Sequence, residues 1–173
     1  GDEIVMTKWA GLEGTSIIAA EKEEKLLETL PQELVDVAKG FKEYLSVIPE
    51  SKIAMEVGVS AMHDVTEGGV FGALWELGEA SGVGITAHLD KIPIKQETIE
   101  VCEVFKINPY MLISSGSMMI GCEKGNLLVE KLEEAGINAA VIGRATEGND
   151  RIVVSRDETR YIGPAGSDEL YKI

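Results

Sequence analysis

HDVTEGGVFGALWELGEASG, residues 63–82, joins a turn with two carboxylates to a helix with one apolar face. Val70, Leu74 and Leu77 recur at the spacing of helical turns, which predicts a stripe that packs against other elements. Glu76 and Glu79 fall on the opposite, solvated side of the same helix. The stretch therefore predicts a short strand, a glycine turn and a helix that covers a sheet.

The turn before this helix contains two glycines as well as its carboxylates. Asp64 and Glu67 are spaced as in a capping box, and Thr66 is a competing cap. Gly68 and Gly69 each weaken a helix by ~1 kcal/mol relative to alanine, so capping alone does not require them. They indicate either a helix packed tightly at its glycines or a ligand that approaches the backbone closely. On the energetic argument we expect both glycines to face a ligand cleft.

The two carboxylates restrict what such a ligand can be. Asp64 and Glu67 would repel a bare phosphate, but they would accept one bound to Mg²⁺, which prefers carboxylate and phosphate oxygens. The adjacent His63 is either a general acid–base or a hydrogen-bonded turn residue. His88, inside a predicted strand, is expected to be structural. The turn thus fits a metal–nucleotide better than a free anion.

Two further glycine-containing stretches interrupt apolar runs. Ser114, Ser115 and Gly116 lie in the middle of NPYMLISSGSMMI, residues 108–120. Hydroxyls and a glycine in such a position form a bulge or offer ligands to a bound group. Residues 11–15, GLEGT, form a third glycine turn before a helix and are a weak signal alone.

The rest of the chain alternates strands and helices, with strands concentrated at its two ends. Thr15, Pro31 and Ser51 are predicted to begin three helices. A mixed sheet covered by helices fits this order better than a regular doubly wound fold. Further helices are predicted at residues 96–106 and 125–135, and strands at residues 4–9, 59–62, 83–89, 137–148 and 151–163.

Composition excludes several classes of function. The formal net charge of −14 argues against nucleic acid and against anionic membrane surfaces. No apolar run is long enough to span a membrane, and no signal peptide is recognisable. Cys102 and Cys122 lack metal-ligand spacing, so free thiols in a reducing cytoplasm are expected. The 173 residues suit a single domain.

Five stretches together resemble one family. They are, in order, GDEIVMTKWAGLEGTSIIA, MHDVTEGGVFGALWELGEASGVG, IP at residues 92–93, NPYMLISSGSMMI and GINAAVIGRATEG. The chain is similar to the C-terminal domain of the aminoimidazole ribonucleotide (AIR) synthetase superfamily, which includes selenophosphate synthetase, thiamine monophosphate kinase and the dehydratase of hydrogenase maturation. The resemblance covers nearly the whole chain, and D-x-T-x-G-G, residues 64–69, is its most specific part.

The resemblance implies an α+β fold with α/β/α layers and a mixed, largely antiparallel sheet. It also implies an enzyme that uses ATP and Mg²⁺ to phosphorylate a small-molecule substrate and so drive cyclisation, dehydration or phosphoryl transfer. Matching positions make Asp64 the Mg²⁺ ligand, with His63 and Asp64 as the catalytic candidates. The nucleotide or phosphate contacts so implied are Thr66, Glu67, Gly68, Gly69, Ser115 and Gly116.

The chain departs from the family pattern in two respects. It begins where the family's second domain begins, so an N-terminal domain with most of the metal ligands and the dimer interface is expected outside residues 1–173. The isolated chain is accordingly expected to be inactive, and the full-length protein to form a homodimer. The C-terminal cysteine of the hydrogenase-maturation branch is absent from SDELYKI, which argues against nitrile synthesis. The alternative is a non-catalytic ligand-binding or regulatory domain that kept the fold.

Overall fold

The computed structural model describes residues 1–173 as an α+β fold of seven strands and seven α-helices. The longest helix has 13 residues, and none is long and apolar enough to cross a membrane. The strands are β1 Glu3–Thr7, β2 Ala61–Val65, β3 Gly84–His88, β4 Ser117–Cys122, β5 Ala139–Thr146, β6 Arg151–Val154 and β7 Thr159–Tyr161. The helices are α1 Leu12–Glu21, α2 Glu23–Leu27, α3 Gln32–Gly40, α4 Ile48–Val57, α5 Gly69–Ser81, α6 Gln96–Phe105 and α7 Gly125–Glu134.

All seven strands form one sheet in the order β2-β4-β1-β5-β3-β6-β7. Only β3 and β6 pair in parallel, and every other neighbouring pair is antiparallel. The predicted mixed, largely antiparallel sheet is therefore confirmed. β2 and β7 are the edge strands, and β1, the first strand of the chain, lies near the middle.

Helices cover both faces of the sheet because its central strands are apolar on both sides. Along β1, Ile4 and Met6 pack in one core with α5, whereas Val5 points the other way into a core with α4 and α7. This alternation is the period of two expected for a strand. A third apolar cluster is formed mainly by α1, α3 and α6. The expected α/β/α layers are thus present, and the predicted stripe of α5 is buried.

Two of the predicted helix starts are wrong. α1 begins at Leu12 after Gly11, and Thr15 lies buried inside it, where its hydroxyl donates to Thr98 Oγ1 at 3.0 Å. α4 begins at Ile48 and not after Ser51, because Pro49 already occupies its first turn. In both cases a hydroxyl residue stands one turn inside the true start, so its side chain does not cap.

Both cysteines are free and buried, and this burial predicts their reactivity. Burial raises the pKa of Cys102 to about 12, with the nearby Glu169 carboxylate acting in the same direction. Burial also raises the pKa of Cys122 above its ordinary value. Since the thiolate is the nucleophile, we expect neither thiol to react with iodoacetamide at pH 8 in the native chain, and both to react in guanidinium chloride. Intact-mass measurement counts the adducts, and rapid native labelling of either cysteine would contradict the burial.

Candidate functional site at one end of the sheet

The turn between β2 and α5 is not a capping box. Asp64 lies within β2 opposite Met118, so it is too early in the chain to cap α5. Gly68 is the N-cap, with φ of 85°, and no side chain of the turn caps the helix. Instead the Gly68 N–H donates to Asp168 Oδ2 at 2.7 Å, so the C-terminal segment fixes the residue at which α5 begins. Both predicted caps, Asp64 and Thr66, are therefore wrong.

Gly68 and Gly69 are required by the chain's own packing. Gly69 has φ of 65°, and a methyl group there would lie 2.7 Å from the carbonyl oxygens of both Tyr110 and Leu112. A methyl group on Gly68, at φ of 85°, would lie 2.8 Å from the Cβ of Ala165. These backbone angles and contacts explain both glycines without a ligand. Packing and backbone conformation therefore account for both glycines, and we expect alanine at either position to destabilise the chain.

The three glycine stretches singled out in the sequence meet at one end of the sheet. The Gly11 N–H donates to Ser114 Oγ at 2.8 Å, which ties the first stretch to the Ser114–Gly116 turn. The Ser114 N–H donates to the Thr66 carbonyl at 3.4 Å, which ties that turn to the end of β2. Segments more than a hundred residues apart thus form one continuous rim, in which Ser114 is the common partner.

The exposed polar side chains on this rim are the candidates for ligand contact. Asp64 and Glu67 are exposed, and Thr66 and Ser115 are half-buried, whereas Gly116 is buried. Asp64 pairs in register with Met118, only three residues beyond Ser115, so the carboxylate and the Ser115–Gly116 turn lie on neighbouring strands. These residues can present two carboxylates and two hydroxyls to a ligand above the rim.

His63 and Asp64 do not form a dyad. Successive side chains of a strand point to opposite faces, and His63 points toward α5, where its Nε2 lies 2.8 Å from Glu76 Oε2. Asp64 points to the face covered by α4 and α7. The two catalytic candidates therefore lie on different sides of the edge strand β2, and a single reacting group cannot contact both directly.

No group of three or more His, Cys, Asp or Glu side chains is arranged to hold a metal ion. Asp64 and Glu67 are the carboxylates that flank the turn, and Mg²⁺ is commonly held by one or two carboxylates together with phosphate oxygens and water. The donor set of the rim fits such a partial site. It does not fit a complete site made by this chain alone.

Sequence reasoning missed two aromatic residues beside the rim. Trp9 packs edge-on against Tyr44, with ring centroids 5.5 Å apart, and Lys95 Nζ lies 4.0 Å from the centroid of the Trp9 ring. The Trp9 carbonyl accepts a hydrogen bond from Ser117 Oγ at 2.6 Å. The available signal was the position of Trp9 two residues beyond the end of β1, since loop residues held by a rigid scaffold commonly line sites.

Sequence reasoning also missed two buried acids near the C-terminus, Asp168 and Glu169. Asp168 is 1% exposed and accepts from the N–H groups of Gly68, Ile113 and Leu170. Glu169 accepts from the Asn108 N–H at 2.9 Å. In the sequence both acids look like ordinary solvated residues of a C-terminal tail. Only their tertiary contacts show that they are buried hydrogen-bond acceptors. Together they fasten the last residues of the chain against the turn that begins α5.

Comparison with known proteins gives consistent results. Residues 1–155 match the family described as AIR synthase related protein, C-terminal domain. The Methanocaldococcus jannaschii protein MJ0676, named for hydrogenase expression or formation, is 27% identical over 158 residues, 89% of this chain and 45% of that protein. The crystal structure of E. coli HypE has a TM-score of 0.80 at 23% identity and covers 99% of this chain and 52% of that one.

A crystal structure of the hydrogenase maturation protein HypE in complex with ATP has a TM-score of 0.74 at 16% identity, over 98% of this chain and 52% of that chain. At such identities the solved structures show that the fold is shared. The chain spans about half the length of these relatives.

Proposed function

The chain belongs to the family of AIR synthase related C-terminal domains, and from this premise we propose that it is the C-terminal half of an ATP-dependent synthetase or kinase-like enzyme. The membership agrees with the resemblance found in the sequence motifs. The proposed reaction is phosphorylation of a small molecule, which drives cyclisation, dehydration or phosphoryl transfer. A hydrogenase maturation protein of the same fold has been crystallised with ATP, which supports the choice of nucleotide.

One observation carries the proposal, namely the rim on which Asp64 stands beside the Ser115–Gly116 turn. Asp64 is exposed on an edge strand, where a second domain or a ligand can reach it. In the proposal Asp64 binds Mg²⁺, while Thr66, Glu67 and Ser115 contact the nucleotide phosphates or the substrate. Mg²⁺ supplies charge neutralisation at the transferred phosphoryl group.

The remaining candidates have narrower proposed roles. Gly68 and Gly69 shape the turn that positions Thr66 and Glu67, and their side-chain positions face the chain itself. His63, oriented by Glu76 on the other face of β2, is proposed as an acid–base group only for a substrate that reaches that face. Because the rim offers few metal ligands, the other half of the protein is proposed to complete the site, and a homodimer is proposed for the full-length form.

Asp64→Asn in the natural full-length protein tests the metal-ligand role. We expect the rate of ATP hydrolysis to fall by at least ~100-fold, because the amide loses the charge that attracts Mg²⁺. We expect the melting temperature to stay near the wild-type value, since the Asp64 side chain is exposed. A coupled ADP assay measures the rate, and calorimetric titration with ATP, with and without Mg²⁺, measures binding.

Asp157→Asn is the matched control, because Asp157 is also exposed but lies in the turn after β6, at the opposite edge of the sheet. It should leave both rate and affinity unchanged. Wild-type turnover by the Asp64 variant would refute the ligand role. Failure of the wild-type protein to bind nucleotide would refute the enzyme and favour a non-catalytic domain.

A further inference from the structure

Lys8 is a buried cation immediately after the central strand β1. The residue is 9% exposed and has a left-handed backbone, with φ of 54°. Its Nζ donates hydrogen bonds to the carbonyl oxygens of Tyr44 at 2.8 Å, Ser46 at 2.7 Å and Gly116 at 3.0 Å. Two distant segments of the chain therefore converge on a single ammonium group.

A buried carboxylate completes this arrangement. Glu50, in the first turn of α4, is fully buried, and its Oε1 lies 2.6 Å from Lys8 Nζ. Neither Glu50 oxygen has a hydrogen-bond partner. The contact between Glu50 and Lys8 is therefore an ion pair whose geometry does not meet that of a hydrogen bond. A buried carboxylate without a countercharge is strongly unfavourable, and Lys8 supplies that charge. We call Lys8 and these four oxygen-bearing residues the Lys8 cage.

The Lys8 cage has the chemistry of a monovalent-cation site. Carbonyl oxygens are the groups that replace the hydration shell of K⁺ in proteins that bind it, and one carboxylate balances a single positive charge. The ammonium group of Lys8 has the same charge and donor chemistry as NH₄⁺ but is covalently attached to the chain. The site therefore needs no free ion.

We propose that Lys8 is the built-in cation of a monovalent-cation site, and that it positions the Ser115–Gly116 turn through the Gly116 carbonyl. It follows that the same cage binds NH₄⁺ or K⁺ when the lysine amine is removed. This inference depends on the cage alone and stands whether or not the chain binds nucleotide. The same turn belongs to the rim, so Lys8 acts there as a positioning residue.

Lys8→Ala tests the inference, since alanine deletes the amine at the same left-handed backbone and so adds no new strain. In choline chloride we expect the melting temperature to fall by about 10 °C, because Glu50 is left buried and unpaired. Replacing choline by NH₄⁺ or K⁺ at equal ionic strength should restore at least half of this loss, and Na⁺ should restore less. Wild type and Lys131→Ala, which alters only an exposed pair with Glu134, should show no such selectivity.

A fluorescence measurement reports the cage directly. Trp9 adjoins Lys8 and packs on Tyr44, and Trp75→Phe leaves it as the only tryptophan. In this background, titration of Lys8→Ala with NH₄Cl should shift the Trp9 emission to saturation, whereas choline chloride should not. A linear response without saturation, or an equal response to every salt, would overturn the proposal.

If Lys8→Ala does not fold in choline chloride, the variant is refolded in each salt. Recovery of folded protein in NH₄⁺ or K⁺ alone supports the proposal, whereas recovery in no salt overturns it. The double variant Lys8→Ala/Glu50→Gln removes both charges and should lose the ion selectivity. If the double variant responds to NH₄⁺ as the single variant does, the ion binds elsewhere and the cage is not the site.

Discussion

Replacing Gly69 with alanine is expected to lower the free energy of unfolding by about 3 kcal/mol. Part of this loss is the strain of a side chain at the left-handed φ of 65°. The rest arises because the new methyl group would lie 2.7 Å from the backbone oxygens of Tyr110 and Leu112, which cannot move independently of their turn. In a domain of this size the melting temperature should fall by about 10 °C.

Gly82→Ala separates the two causes of that loss. Gly82, at the other end of α5, has a nearly identical φ of 63°, yet a methyl group there would meet nothing within 4 Å. It should therefore show only the backbone strain, about 1 kcal/mol. Urea denaturation of both variants gives the comparison. Equal losses in the two variants would mean that the contact with Tyr110 and Leu112 is unimportant.

Asp168→Ala is expected to lower the free energy of unfolding by about 4 kcal/mol, at least as much as Gly69→Ala. The variant leaves the N–H groups of Gly68, Ile113 and Leu170 without their acceptor, and hydrogen bonds to a charged group contribute more than neutral ones. Urea denaturation measures the loss, and amide exchange should accelerate most at Gly68 and Ile113.

Two other substitutions bracket this effect. Asp168→Asn keeps the shape and one acceptor oxygen, so it should fall between wild type and alanine. Asp157→Ala removes an exposed carboxylate and should change stability by no more than about 0.5 kcal/mol. An Asp168→Ala variant that unfolds at the wild-type urea concentration would show that the C-terminal segment does not hold the α5 turn.

Local patterns were enough to predict the sheet class and most elements. The stripe of α5 and the apolar strands follow from periodicity, which is set by the chain's immediate neighbours. Pro31 was correctly placed at a helix start, because α3 begins at the next residue. Thr15 and Ser51 were misplaced because a hydroxyl within the first turn resembles a cap when the residues before it are not recognised as helical.

The rim was only partly predictable, because its parts join through tertiary contacts. The glycine stretches were identified separately, but nothing local indicates that Ser114 bonds to both Gly11 and Thr66. Lys8 looked like a polar residue at the end of a strand, and its burial depends on partners 36 to 108 residues away. Gly69 was read as open to a ligand because the opposing turn at Tyr110 and Leu112 cannot be inferred from its neighbours.

The central position of β1 also determines how this chain can fold as it is synthesised. Glu3 pairs with Cys122 on one side and with Arg144 on the other, so β1 needs two strands that lie more than a hundred residues later in the chain. A nascent polypeptide leaves the ribosome from its N-terminus, and β1 therefore emerges long before either neighbour exists. The sheet closes only after most of the chain has been translated, which makes folding slow and leaves an apolar strand open to chaperones in the interval.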